Sequence, residues 1–132
     1  PGAGAKEMLG AYARMDVMLD CYPYHGTTTT CEALYMGVPV VNLSGRHCAA
    51  RVSTSIVTAA GHPEFAAGSR KEFVRVAADL AGDAEGLARI RSRLRGDMAG
   101  SPVCDGPGFA RRFETALRGM WREACTGTAP RG

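Results

Sequence analysis

Lysine is nearly missing from this chain: Lys6 and Lys71 are its only two, and the other basic residues are arginines. The net charge is a slight +3, far from the dense basic face that binding to nucleic acid demands, so no nucleic-acid partner is expected. No apolar run approaches the roughly 18–20 residues of a membrane-spanning helix, and no membrane partner is expected either. Pro1–Ala5 has neither the basic start nor the apolar core of a signal peptide, and the chain reads as a segment of something longer. Paired cysteine motifs are lacking as well. Cys21, Cys31, Cys48, Cys104 and Cys125 are odd in number and have no CxxC spacing. That excludes a disulfide framework, offers no zinc site, and fits reduced thiols in a cytoplasmic protein. Repeats and low-complexity tracts are absent too. What remains is ordinary for one globular domain of 132 residues, 45% apolar and 22% charged.

The periodicity describes strands alternating with helices. Lys6 to Met15 carries Met8, Leu9 and Tyr12 at helical spacing; Asp16–Asp20 is a short apolar strand; and Cys21–Gly26 is rich in turn residues. Thr27–Thr30 leads into a helix over Cys31–Met36, stopped by Gly37. Val38–Leu43 is a second strand, β-branched on both faces, with Pro39 at its first position. A helix over Ala49–Ala60 follows, capped by Gly61, and then a brief segment around Phe65; a third strand is possible but has no assigned place. The remainder, 69–124, forms a helical tail punctuated by Asp83 and Gly100-Ser101-Pro102. Arg89, Arg91, Arg93 and Arg95 fan around their helix and form no single stripe. In the last helix, Phe113, Leu117, Met120 and Trp121 are expected to face the core. This order of elements is that of a parallel α/β sheet, Rossmann-like but with too few strands to be whole.

In such sheets, ligands bind outside the carboxyl ends of the strands, where the Cys21–Thr30 segment falls. Gly26 allows close backbone approach, Thr27, Thr28 and Thr29 bring hydroxyls, and the next helix points its free N–H groups at the same place. That is an anion site suited to a phosphate or diphosphate. Without a Walker lysine or GxGxxG it is neither a P-loop nor a dinucleotide fingerprint. Glu32, one turn into the helix, suits ribose hydroxyls. Equally, Thr29-x-x-Glu32 is a capping-box pattern, and the pattern alone does not separate the two.

The run from Asp16 through Thr27-Thr28-Thr29-Thr30-Cys31-Glu32 to Gly37-Val38-Pro39-Val40-Val41 resembles the donor-binding motif of the O-linked N-acetylglucosamine transferases. The likeness is strongest to bacterial members, whose catalytic region follows tetratricopeptide repeats. It continues through Gly45–Val52, Phe109–Glu114 and Met120-Trp121. The resemblance implies that 1–132 is a UDP-sugar-binding part of the C-terminal, Rossmann-like lobe of a GT-B glycosyltransferase. The enzyme would invert the anomeric centre, use no metal or other cofactor, and transfer a sugar, N-acetylglucosamine by family expectation, from UDP to a Ser or Thr hydroxyl of a protein or peptide. It implies that Gly26, Thr27, Thr28 and Thr29 bind the diphosphate and that Glu32 binds the ribose. Thr27 stands where animal members have histidine, Met8 replaces a histidine near the nucleotide, and His25 replaces asparagine. The family's phosphate-facing lysine and its catalytic histidine belong to the N-terminal lobe and upstream segments, so no general base is nominated. His25, Arg46 and His47 are candidates for contact with donor or acceptor; as a loop histidine, His25 is either solvated or a charge-assisted donor to the diphosphate. Arg51 is either a surface or an ion-pair residue, and His62 is a plain C-terminal cap. The alternative is a non-catalytic nucleotide-binding module.

Overall fold

The computed structural model describes residues 4–127; residues 1–3, part of the segment read as lacking a signal peptide, and 128–132 lie outside the described residues. Helix α1 (Ala5–Ala11) runs into a 3₁₀ turn at Tyr12–Arg14, and strand β1 is only Met18–Leu19. Helix α2 (Thr28–Tyr35), strand β2 (Val40–Leu43), a 3₁₀ turn at Cys48–Ala50 and helix α3 (Val52–Ala59) follow. After a 3₁₀ turn at Pro63–Phe65 come strand β3 (Ala66–Ala67) and helices α4 (Arg70–Gly82), α5 (Ala84–Ala99) and α6 (Gly106–Thr126).

All strand pairs are parallel, with β2 in the middle of the order β1-β2-β3. Met18 faces Val40 in the first pair, and Asn42 faces Ala66 in the second. The possible third strand exists, at Ala66–Ala67 just after the brief segment around Phe65. The first is shorter than its apolar run, because only two of its residues find partners on β2. Pro39 sits just ahead of β2, where its missing N–H costs nothing while its carbonyl accepts from Met18 N at 2.9 Å.

Leu34, Val38, Val40, Val57, Phe65 and Leu94 are fully buried and join α2, the sheet, α3 and α5 in one core. Each such aliphatic side chain contributes about 1.5–3 kcal/mol on burial. Gly37 turns α2 back into β2 with a φ of +79°, and an added Cβ would lie 3.0 Å from the Arg91 carbonyl on α5. Within the core, Asn42 donates to the Phe65 carbonyl at 3.4 Å and accepts from the Thr54 hydroxyl at 2.6 Å. Ser44 then donates to Thr54 at 2.7 Å, since the Thr54 proton is already committed.

Two expectations fail among the helices. The apolar stripe of α6 does not face the core: Phe109, Phe113, Leu117, Met120 and Trp121 are exposed, Trp121 at 71%, and Gly108 is the one residue α6 buries. Periodicity reveals that a stripe is apolar, not what covers it. His62 is no plain cap either. Gly61, at φ +88°, ends α3, while His62 is buried, stacked on Phe65 at 5.0 Å between centroids. Its ring nitrogens meet Glu64 at 2.9 Å and Asp97 at 3.0 Å. The arginines of α5 do fan apart: Arg89 reaches Glu85, Arg91 reaches Asp16 at 2.6 Å, and Arg95 lies over the Tyr35 ring.

Helices α4, α5 and α6 start on side-chain caps, Ser69, Asp83 and Asp105. The Gly108 N–H, and then Arg112, hold the Asp105 carboxyl below the usual carboxylate range. A depressed native value means that this stabilisation is present above the unfolded carboxylate value and is lost as pH falls through the native one. The first turn of α6 is therefore expected to open in acid. Asp105→Asn keeps the cap without the titration, so amide exchange at Gly108–Phe109, corrected for its intrinsic pH dependence, should rise in acid in the wild type alone.

Candidate functional site

The loops after β1 and β2 lie together at the carboxyl edge of the sheet, and the first is closed by a single carboxylate. Asp20 Oδ1 accepts from Cys21 N at 2.9 Å and from Gly26 N at 3.0 Å, tying the two ends of the 21–26 loop to one atom. Beneath it, the Gly26 carbonyl accepts from Thr30 Oγ1 at 3.1 Å and Ser53 Oγ at 2.9 Å, and these hydroxyls are 2.8 Å apart. Two hydroxyl protons thus serve three contacts and bolt α2 to α3 through one carbonyl. Gly26 is required here for space: a Cβ would collide with Thr29 Oγ1 and stand 2.9 Å from Thr30 Oγ1.

His25 departs from its sequence reading. It is only 2% exposed, not a solvated loop residue. Its N–H donates to the Ala49 carbonyl at 2.9 Å, and Nε2 lies 3.0 Å from the Leu43 carbonyl. Because a carbonyl only accepts, Nε2 carries the hydrogen. Nδ1 is 3.8 Å from Asp20 Oδ2, and these two buried atoms make no hydrogen bond. His25 joins the first loop to β2 and to the 48–50 turn from below.

Above this base, Thr27, Thr28 and Thr29 are exposed. The N-cap is Thr27, whose side chain makes no capping bond, so the first-turn N–H groups of α2 are left to other partners. The capping box is not formed. With the helix starting at Thr28, Glu32 lies more than a turn inside, and its Oε2 accepts instead from the Tyr12 hydroxyl at 3.2 Å. The same hydroxyl is 3.4 Å from the Thr29 carbonyl. Burial, then the bond to Glu32 and the charge of Glu32, push the Tyr12 phenol up, so it remains a donor. Burial, with Cys104 and Glu32 adding to it, likewise pushes up the Cys31 thiol.

Beside Thr27 a cleft of about 510 Å³ brings in Arg46, Cys48 and Arg51. Arg46 and Arg51 are exposed and pair with no carboxylate among the described residues, which settles Arg51 as a surface residue. His47 is exposed on the same loop but does not line this cleft, and Glu32 stands apart on the Tyr12 side. Met8 is half exposed on α1. A separate cleft of about 400 Å³ beside α4 and α5 is rimmed by Glu64, Glu72, Asp79 and Asp83, the wrong charge for a phosphate. Asp20, Ser53 and Tyr12 were not singled out as site residues from the sequence. Asp20 had one visible signal, an acid at the exact end of an apolar strand; the other two pair across 23 and 17 to 20 residues with no local pattern.

The chain matches known proteins along most of its length. The family model described as Glycosyl transferase family 41 covers residues 4–112. Over 120 residues the chain is 52% identical to a probable UDP-N-acetylglucosamine–peptide N-acetylglucosaminyltransferase SPINDLY of Oryza sativa subsp. japonica, covering 91% of this chain and 13% of that protein. It is 35% identical over 107 residues to a UDP-N-acetylglucosamine–peptide N-acetylglucosaminyltransferase of Caenorhabditis elegans, covering 81% of this chain and 9% of that protein. A solved structure of a mutant O-GlcNAc transferase from Thermobaculum terrenum superposes with a TM-score of 0.88 at 38% identity, covering 96% of this chain and 24% of that one. The sheet and helices described above are thus a partial Rossmann-like lobe of the GT-B type, and the chain spans a quarter or less of the length of each of these proteins. The chain belongs to glycosyl transferase family 41.

Proposed function

We propose that this chain is the donor-binding part of an inverting, metal-independent glycosyltransferase that moves N-acetylglucosamine from UDP to Ser or Thr hydroxyls of a protein or peptide. The N-terminal catalytic lobe would supply the general base. The observation that carries the reading is the uncapped start of α2. Thr28 and Thr29 present exposed hydroxyls and first-turn N–H groups, and Arg46 and Arg51 stand unpaired on the loop alongside, Arg51 just ahead of α3. A diphosphate placed there meets positive potential from the helix end and two guanidinium groups. As the bond to the sugar breaks, charge grows on that diphosphate, and donors already fixed in place stabilise it without reorganising. This is the role a divalent cation has in other transferases. Glu32, on the same α2 helix one turn further along, would accept from the ribose.

Glu32→Ala tests the assignment. The residue caps nothing, so α2 should keep its helicity by circular dichroism. Calorimetric titration of the natural polypeptide with UDP should show affinity about 10- to 100-fold weaker, the loss expected for hydrogen bonds to a charged group. Unchanged UDP affinity would remove Glu32 from the site. Sugar transfer to a peptide by the unmodified protein supports the enzyme, and UDP binding without turnover supports a nucleotide-binding module.

A further inference from the structure

We infer that Tyr12 is a positioning residue for ribose recognition: by holding Glu32 Oε2, its hydroxyl leaves Oε1 aimed for a ribose hydroxyl. This rests on the donor-site reading given above. The Tyr12 ring is 7% exposed and belongs to the core shared by α2, α3 and α5, so its hydroxyl has a fixed position. That hydroxyl has one proton and two acceptors within reach, Glu32 Oε2 at 3.2 Å and the Thr29 carbonyl at 3.4 Å. The carboxylate is both nearer and charged, and it is the stronger acceptor. An ionised carboxylate has two accepting oxygens and no donor, so engaging one defines the direction of the other. Glu32 is half-buried and otherwise free to rotate, and freezing a glutamate side chain costs entropy that a nucleotide would have to offset on binding. Tyr12 removes that freedom beforehand. The same hydroxyl touches the backbone of Thr29, a residue assigned to the diphosphate, so one group from the turn after α1 registers both halves of the nucleotide site.

The test compares UDP with 2′,3′-dideoxyuridine diphosphate, which lacks the hydroxyls in question, by calorimetric titration of the natural polypeptide. Tyr12→Phe deletes one oxygen and keeps the ring. The expected result is about tenfold weaker UDP binding with dideoxy affinity unchanged, so that the preference for ribose falls by the same factor. In a Glu32→Ala background Tyr12→Phe should then add nothing. Equal weakening toward both nucleotides would show a merely structural tyrosine and overturn the inference, as would no change in either. A wild-type protein that binds neither nucleotide would overturn the donor-site reading itself, and the inference with it. If Tyr12→Phe does not fold, Tyr12→4-fluorophenylalanine keeps the size of the ring, loses the O–H donor and makes the same comparison: loss confined to UDP supports the inference, and uniform loss or no loss overturns it.

Discussion

Asp20→Ala is expected to lower stability by about 2–4 kcal/mol and to abolish detectable UDP binding. The carboxylate is the common acceptor for the N–H groups of Cys21 and Gly26, and it faces the buried ring of His25. Alanine leaves both N–H groups without that partner and opens the loop that sets Gly26 against Thr30 and Ser53. Thr27–Thr29, proposed above to meet the diphosphate, begin immediately beyond Gly26, so the start of α2 loses its reference point. Asp20→Asn separates geometry from charge. It retains an oxygen to accept both bonds and should stay within about 1 kcal/mol of the wild type. Urea unfolding with an unchanged slope reads the first effect, and calorimetry with UDP reads the second. Undiminished UDP affinity in the alanine variant would mean that the loop closure has no part in the site.

Phe65→Ala should be the most damaging core substitution, at about 3–5 kcal/mol, for a fully buried aromatic whose space cannot collapse. Its ring also lies flat against His62, so the bridge from His62 to Glu64 and Asp97 loosens when the ring goes. Since whole domains are stable by only about 5–15 kcal/mol, one such change takes a large share of the total. Val74, on the exposed side of α4, makes the control: Val74→Ala should shift the urea midpoint by less than about 0.5 kcal/mol equivalent. Similar midpoints for the two variants would contradict the placement of the core.

The sequence revealed what depends on neighbours along the chain and concealed what depends on partners across it. The boundaries of α4, α5 and α6 were legible because Asp83 and the Gly100–Pro102 break act locally. Gly26 and the threonines were legible because a turn followed by a helix start has its own composition. The capping box was a false local signal. Thr29 and Glu32 have the right spacing, but the helix begins at Thr28, and Tyr12 takes the carboxylate from outside. His25 looked exposed because it sits among turn residues, and its burial comes from carbonyls of Leu43 and Ala49 far along the chain. Periodicity shows the α6 stripe to be apolar but carries no information on its cover, and no other described element of the chain buries it.

The central strand raises a problem of alignment. β2 is apolar on both faces, with Val40 and Val41 alike sealed from solvent, and a strand of that kind can slide by one place with little hydrophobic penalty. Asn42 makes sliding costly. Shifted by one residue, its amide would leave the Phe65 carbonyl and the Thr54 hydroxyl behind and sit dry, at about 1–3 kcal/mol for each abandoned partner. The polar side chain in the middle of a greasy strand therefore works as an index mark, fixing the frame in which β1 and β3 are read against β2 and, with it, the height at which each loop emerges at the binding edge.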